Sequence, residues 1–389
     1  MTRDAVTTTL RGGRLVLPDR IADADLALED GRIVDIADHL PAGHRDWDAS
    51  GRLVLPGFVD LHGDALEKEA EPRPGVFLPP DFAVVQADRR YASAGVTTVC
   101  HAIAFASGEL GLREPERARA LALAVLEPAA PPLVRHNLHL RYEITDPSAA
   151  PVVTELLDRG AVVLSFMDHT PGQGQFRDLA AYAAYLARSY GTDAEDVARR
   201  VEAKRSEAAN SLARVEALAR HARARGVLLA SHDDDCLERV VALAALGVRA
   251  SEFPIHLDAA RAAAAHGLSV IVGAPNLYRG GSQSGGLAAR AAIAAGLARC
   301  LCSDYAPQTL LPAVLLAARQ GLVGLPQAVA LATRHPADLL GRQDLGRITP
   351  GARADLLLVR DGAGPPTVEL ALLDGEPVLH AVPGRSRRR

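Results

Sequence analysis

The chain has 389 residues, 48% hydrophobic and 23% charged, a balance typical of a soluble globular protein with length enough for one large barrel and an accessory module, or for two to three smaller domains. Its formal net charge of −4 gives no sign of a nucleic-acid or membrane partner, and no stretch is apolar over the ~20 residues that a spanning helix needs. The four cysteines (Cys100, Cys236, Cys300 and Cys302) form no C-x-x-C pair, which disfavours a structural zinc or redox site, and without an apolar signal core near the start a reducing cytoplasm is the expected location.

Residues 1–55 read as short strands broken by turns, in "GGRLVLPD", "ADLALEDGRIVDIA" and "RDWDASGRLVLPG". Glu29-Asp30-Gly31 and Ala49-Ser50-Gly51 are the turn signals between the alternating runs. Eight apolar runs follow: "GFVDLH", "VTTVCHAI", "NLHLRYEI", "AVVLSFMDH", "VLLASHDD", "RASEFPI", "SVIVGAPN" and "RCLCSDY". Ala/Leu/Arg-rich helical segments separate most of them. Eight strands alternating with helices predict an α/β fold, a (β/α)8 TIM-like barrel, with a doubly wound sheet as the alternative. The charged run 192–226 predicts one or two amphipathic helices, forming a solvated layer, a lid or a dimer contact. Beyond the barrel, "GRITPGARADLLLVRDG" and "TVELALLDGEPVLHAV" resume the β character of the start. The expected organisation is therefore a small β-sandwich module from both ends of the chain (1–55 and 344–389, the latter with the basic tail "GRSRRR") around a barrel at 56–343.

The barrel strands share a chemical feature. Active-site residues of such barrels sit at the C-terminal ends of the strands. Here those ends carry His62 and Asp64, Glu143, Asp168 and His169, His232 and Asp233, Glu252, and Asp304. One polar residue at a strand end is usually a cap or turn residue. Recurrence of imidazole and carboxylate at the same end of so many strands asks for a metal, because buried charge must be paired, hydrogen-bonded or metal-bound. These donors suit one or two divalent ions, with Zn²⁺ and Mn²⁺ the leading candidates.

"LPGFVDLHGD" with the distant "GRITPGARADLLLV" resembles the amidohydrolase superfamily, in which the chain ends build a β-module beside a metal-bearing barrel. Further segments, "DLHGDALEKEAEPRPGV", "NLHLRYE", "LSFMDHTPGQGQF", "ASHDD", "SEFP", "GAPNLYRGGSQSG" and "CSDYAPQTLL", resemble the triphosphate diphosphatases of the carbon–phosphorus lyase pathway within it. The resemblance implies metal ligation by His62, Asp64, Glu143, His232 and Asp304. Asp304 would also take the proton of the attacking water, Glu143 would bridge, and His169 would ligate or polarise the substrate. Neither lysine, Lys68 or Lys204, ends a mid-barrel strand, so a glutamate bridge is preferred to a carboxylated lysine.

The implied reaction is hydrolysis of a ribose 1-methylphosphonate 5-triphosphate, a phosphorylated sugar, to its 5-phosphate and pyrophosphate. Arg279, Gly280, Gly281, Ser282 and Gln283 would hold phosphate, together with Lys68, Arg73 and Arg141. The family carries His where Gln283 stands, and different residues at Gly63 and Ala65. Two alternatives remain: hydrolysis of a C–N bond in a cyclic amide or N-acyl substrate, and a non-catalytic scaffold. A homodimer is the expected assembly.

Overall fold

A computed structural model describes residues 8–107, 111–170, 194–283 and 285–381. It opens with β1 (Thr8–Val16), β2 (Ile21–Glu29), β3 (Arg32–Ala37), β4 (Arg45–Asp48) and β5 (Leu53–Pro56). The barrel strands are β6 (Phe58–Gly63), β7 (Val96–Phe105), β8 (Arg135–Glu143), β9 (Val163–Met167), β10 (Leu228–His232), β11 (Ala250–Glu252), β12 (Ser269–Gly273) and β13 (Ala298–Cys302). After them come β14 (Leu356–Arg360), β15 (Thr367–Leu373) and β16 (Glu376–His380). All eight apolar runs of the middle are strands.

The outer strands form one sheet in the order β16-β15-β14-β5-β1-β2-β3, with β4 also paired to β1. Its hairpins follow from their turns. Asp30-Gly31 and Asp374-Gly375 both take left-handed backbone, the conformation that two-residue hairpins need and that Asp and Gly accept most readily. One face of this sheet buries Leu10, Leu15, Leu26, Ile33, Leu356 and Leu372 as a core of its own. Leu55, Leu357 and Val359 belong instead to the large core shared with the barrel helices. Arg135 of β8 is ion-paired with Asp355 and reaches Asp374, tying the two units together.

The inner strands run parallel in chain order from β6 to β13. Closure comes from a bridge between Gly63 and Asp304, with Asp304 N–H donating to His62 O at 2.9 Å and Asp64 N–H to Asp304 O at 2.8 Å. This closed ring excludes the doubly wound alternative. Helices such as Pro80–Ser93 and Pro115–Leu126, each started by a proline whose missing N–H costs nothing there, cover the outside. Leu61, Cys100, Ile271, Cys300 and Cys302 fill the inside below the strand ends. Within 192–226, residues 201–209 of helix Ala194–Ala209 are exposed or half-buried, whereas Leu212–Arg223 buries Val215, Leu218, Ala219 and Ala222 as an ordinary barrel helix. Residues 192–193 lie outside the described residues.

Gly63 is explained by its neighbour. A Cβ at this position would lie 2.2 Å from the Tyr91 hydroxyl, so only glycine lets the helix Pro80–Ser93 pack that close behind β6.

Candidate metal centre

The alternation of β8 decides what enters the barrel. Leu138, Leu140 and Tyr142 join the outer core, so His139, Arg141 and Glu143 share the inner face. At the mouth these residues meet His62 from β6, His169 after β9, His232 ending β10 and Asp233 just after it, and Glu252 from β11. Two groups have the spacing of a cation site: His62, His139 and Glu252, and His169, His232 and Asp233. They adjoin, since the His62 and His232 rings are 5.6 Å apart.

Hydrogen bonds set the direction of the lone pairs in the first group. His139 Nδ1 is 2.9 Å from Leu61 O. A carbonyl only accepts, so Nδ1 carries the hydrogen and Nε2 of the neutral ring is a bare acceptor. Burial lowers His139 to about 4, which keeps that ring neutral. Its Nε2 nevertheless lies 3.7 Å from Glu252 Oε2, one acceptor facing another. Glu252 Oε2 also accepts from Ser165 Oγ at 2.8 Å, and Oε1 from His62 Nδ1 at 2.9 Å. Burial opposes ionisation of Glu252, but the charged His62 ring holds it well below the usual carboxylate range. His62 Nε2 faces Asp64 Oδ1 at 3.4 Å. Burial would lower His62, yet Glu252 and Asp64 push it up to about 10, so without a metal a proton supplies the positive charge this ring of acids demands.

In the second group His232 Nδ1 and Asp233 Oδ2 stand 3.3 Å apart, buried, with no hydrogen bond to satisfy either. His169 Nδ1 is held by Glu143 Oε2 at 2.8 Å, and its Nε2 is 4.0 Å from Asp233 Oδ2. Despite its burial, Glu143 is held at about 2 by His169. Glu143 also accepts from Thr145 Oγ1 and from His169 N–H, so it braces His169 from behind. The orphaned buried atoms His62 Nε2, His139 Nε2, His232 Nδ1 and Asp233 Oδ2 are all of ligand type. This donor set fits divalent metal.

The remaining expected residues fall into two sets. Asp64, Asp304 and Arg141 are in the site. Asp304 takes left-handed backbone and is pushed up to about 7 by burial and then by the Asp64 charge. Arg141, expected at the mouth as a substrate cation, is buried inside the barrel because strand alternation points it inward. It binds Asp64 Oδ1 at 3.1 Å, and its second nitrogen is 3.3 Å from His232 Nε2. Lys68, Arg73, Arg279 and Gln283 are exposed. Gly280 is the left-handed cap of helix Ala274–Arg279, and the Gly280 and Gly281 N–H groups both donate to Asn276 O. Those two amides, expected to face phosphate, are thus spent on ending a helix, while Ser282 continues the loop.

His139, Glu252 and Asp233, which the ligand set implied by the resemblance does not include, belong to the two candidate cation groups. Sequence reasoning missed Arg113, whose charge acts on both Asp64 and Glu67. His256 caps helix Leu257–Ala265, accepting from Ala259 N–H at 3.1 Å and donating to Asp235 O at 2.8 Å.

Comparison with known proteins bears on this geometry. The profile of the amidohydrolase family matches residues 53–378. The α-D-ribose 1-methylphosphonate 5-triphosphate diphosphatase of Escherichia coli (strain K12) is 37% identical over 351 residues, covering 89% of this chain and 93% of the relative. Among solved structures, a prolidase complexed with N-methylphosphonate-L-proline superposes with a TM-score of 0.62 at 18% identity, covering 95% of this chain and 99% of that one. A dihydropyrimidinase from Brevibacillus agri NCHU1002 gives 0.58 at 15% identity, covering 96% and 95%. At such identities the structural matches speak for the fold alone.

Proposed function

Because the chain belongs to the amidohydrolase family, we propose that it is a metal-dependent hydrolase that cleaves α-D-ribose 1-methylphosphonate 5-triphosphate to the 5-phosphate and pyrophosphate. The observation that carries the substrate is the 37% identity over nearly the whole chain with the diphosphatase. The chemistry rests on the two histidine–carboxylate groups. His62, His139 and Glu252 would hold one divalent ion and His169, His232 and Asp233 a second, with Asp64 alongside; Zn²⁺ and Mn²⁺ suit such donors. A bound divalent ion supplies Lewis acidity toward phosphoryl oxygen and acidifies water.

The chain's own residues do the rest. Asp304, which closes the ring at the strand ends beside His62 and Asp64, is the general base for the attacking water. Arg141 locks Asp64 in orientation and keeps it ionised against its burial. Glu143 fixes the His169 ring. Lys68 and Arg279, in the short helices that follow β6 and β12, and Arg73, just after the first of them, offset polyphosphate charge, and Gln283 donates a neutral hydrogen bond. The four cysteines are free thiols, in keeping with a reducing cytoplasm, and a homodimer is the proposed assembly.

Loss of the Gly280 and Gly281 amides to Asn276 favours a second reading, hydrolysis of a C–N bond in a cyclic amide. One assay separates the two. The metal-loaded protein, given a ribose 5-triphosphate bearing a C1 phosphonate, should release pyrophosphate stoichiometrically with the 5-phosphate. No pyrophosphate, together with turnover of a cyclic amide, would overturn the diphosphatase reading and leave the metal centre standing.

A further inference from the structure

Among the described residues five non-glycines take a positive φ: Asp30, Asp233, Phe253, Asp304 and Asp374. Asp30 and Asp374 sit in hairpin turns before glycines. Asp233 and Asp304 follow β10 and β13 in the candidate centre. Four of the five are therefore aspartates, whose short polar side chain tolerates this backbone. Phe253, at φ 53°, is the exception, and for a bulky residue the conformation is a true outlier. Strain of this kind persists where its surroundings enforce it, and it concentrates at functional sites.

The consequence of the left-handed turn is visible in the contacts. In an extended strand the residue after Glu252 would face away from Glu252. Here the backbone swings back, pinned by Phe253 N–H donating to Ile271 O at 3.0 Å. The half-buried ring then lies on the Glu252 side. It meets the His62 ring edge-on, centroids 4.9 Å apart and planes at 81°, and the His232 ring at 5.3 Å and 69°. His62 and His232 belong to different candidate cation groups. One phenyl ring thus touches an imidazole of each.

We infer that Phe253 is a positioning residue of the metal centre: its ring wedges the His62 and His232 imidazoles into a fixed mutual orientation, and the strained backbone is the means of delivering it. The inference rests on the metal-centre reading of the previous section. It predicts that stability and metal affinity respond differently at this position. Phe253→Gly relieves the backbone, so thermal stability should fall less than it does for Phe253→Ala, which keeps the strain and also loses the ring. Both variants should bind Mn²⁺ about 10-fold more weakly than wild type by calorimetric titration of the metal-stripped protein, the usual scale for groups that orient ligands. The visible absorption of the Co²⁺-loaded protein should shift in both, and Phe253→Tyr should restore it.

Wild-type Mn²⁺ affinity with an unchanged Co²⁺ spectrum in Phe253→Gly overturns the proposal and leaves the ring as packing. If that variant does not fold, Phe253→Leu decides in the same way, since it keeps apolar bulk but has no ring planes. Failure of the wild-type protein to bind any divalent ion overturns the metal reading and this inference with it. Normal metal binding without pyrophosphate release overturns the substrate reading alone.

Discussion

His136 and His139 lie three residues apart on β8, both with buried side chains and both beside a carboxylate, and they end in different chemistry. The odd spacing sends them to opposite faces of the strand. His136 faces the helix Pro80–Ser93, where its Nε2 donates to Asp88 Oδ1 at 3.0 Å. Its Nδ1 then accepts from His101 Nε2 at 2.7 Å, the two rings stacked with centroids 5.0 Å apart. Asp88 also takes the N–H groups of Leu133 and Val134. Along that chain each N–H finds an acceptor. His139 faces inward, spends its one N–H on a carbonyl, and turns a lone pair toward a carboxylate. A histidine beside an acid is therefore not in itself a metal site. What distinguishes one is acceptors left facing acceptors.

This contrast can be broken experimentally, most sharply at the inner face. Asp304→Asn should keep bound metal and lose about 10²–10⁴-fold in turnover, because an amide cannot take the proton of water. Retained turnover would move the base elsewhere, with His169 the next candidate. Paired substitutions then separate the two histidine sets. His232→Ala should lower metal content measured by elemental analysis while leaving the fold intact. His136→Ala should leave metal content unchanged but cost about 1–3 kcal/mol in denaturant unfolding, since His101 and Asp88 lose their buried partner. Equal metal loss in both variants would erase the distinction.

The smallest effect concerns pH. Burial, then the neighbouring His136, holds His101 well below its ordinary value of 6.5. The unfolded chain therefore binds a proton there that the folded chain refuses. This contribution is present in full above about 6.5 and is lost as pH falls below it, with a slope of at most about 1.4 kcal/mol per pH unit. His101→Gln should flatten the acid side of the stability profile of the metal-loaded protein by that amount. An unchanged slope would mean that His101 is not the titrating group.

Much of the fold was legible because parallel barrel strands, buried on both faces, are written as apolar runs. "VTTVCHAI" is buried throughout, as such a run must be. The outer sheet declared itself through Asp30-Gly31. The site was legible only at strand ends. His139 lies in mid-strand, which favours a core or supporting role, although its parity with Arg141 and Glu143 on the same inner face points it into the site. Glu252 ends a strand of three residues, too short for any periodicity to announce that it is buried. The inward pointing of Arg141 needed the same parity argument. The Gly280 cap needed a helix end that "NLYRGGSQSG" does not mark without its three-dimensional context.

The pairing of β5 with β14 sets Leu55 opposite Leu357 and Val54 opposite Leu358. The barrel sequence separates these partners, which makes them among the most nonlocal contacts in the chain. At a synthesis rate of about 5–20 residues per second, β5 waits roughly 15–60 s for its neighbour to emerge. Over that interval its apolar edge is open to pairing with another nascent chain. Barrel closure shortens the wait in conformational rather than clock time. Once β6 is seated, Gly57 N–H lies where it can donate to Asp355 O, at 2.8 Å in the finished fold, and the long loop closes across a preformed scaffold. Topology thus makes the joining of β5 to β14 a late pairing, possible only after the barrel sequence between them has emerged.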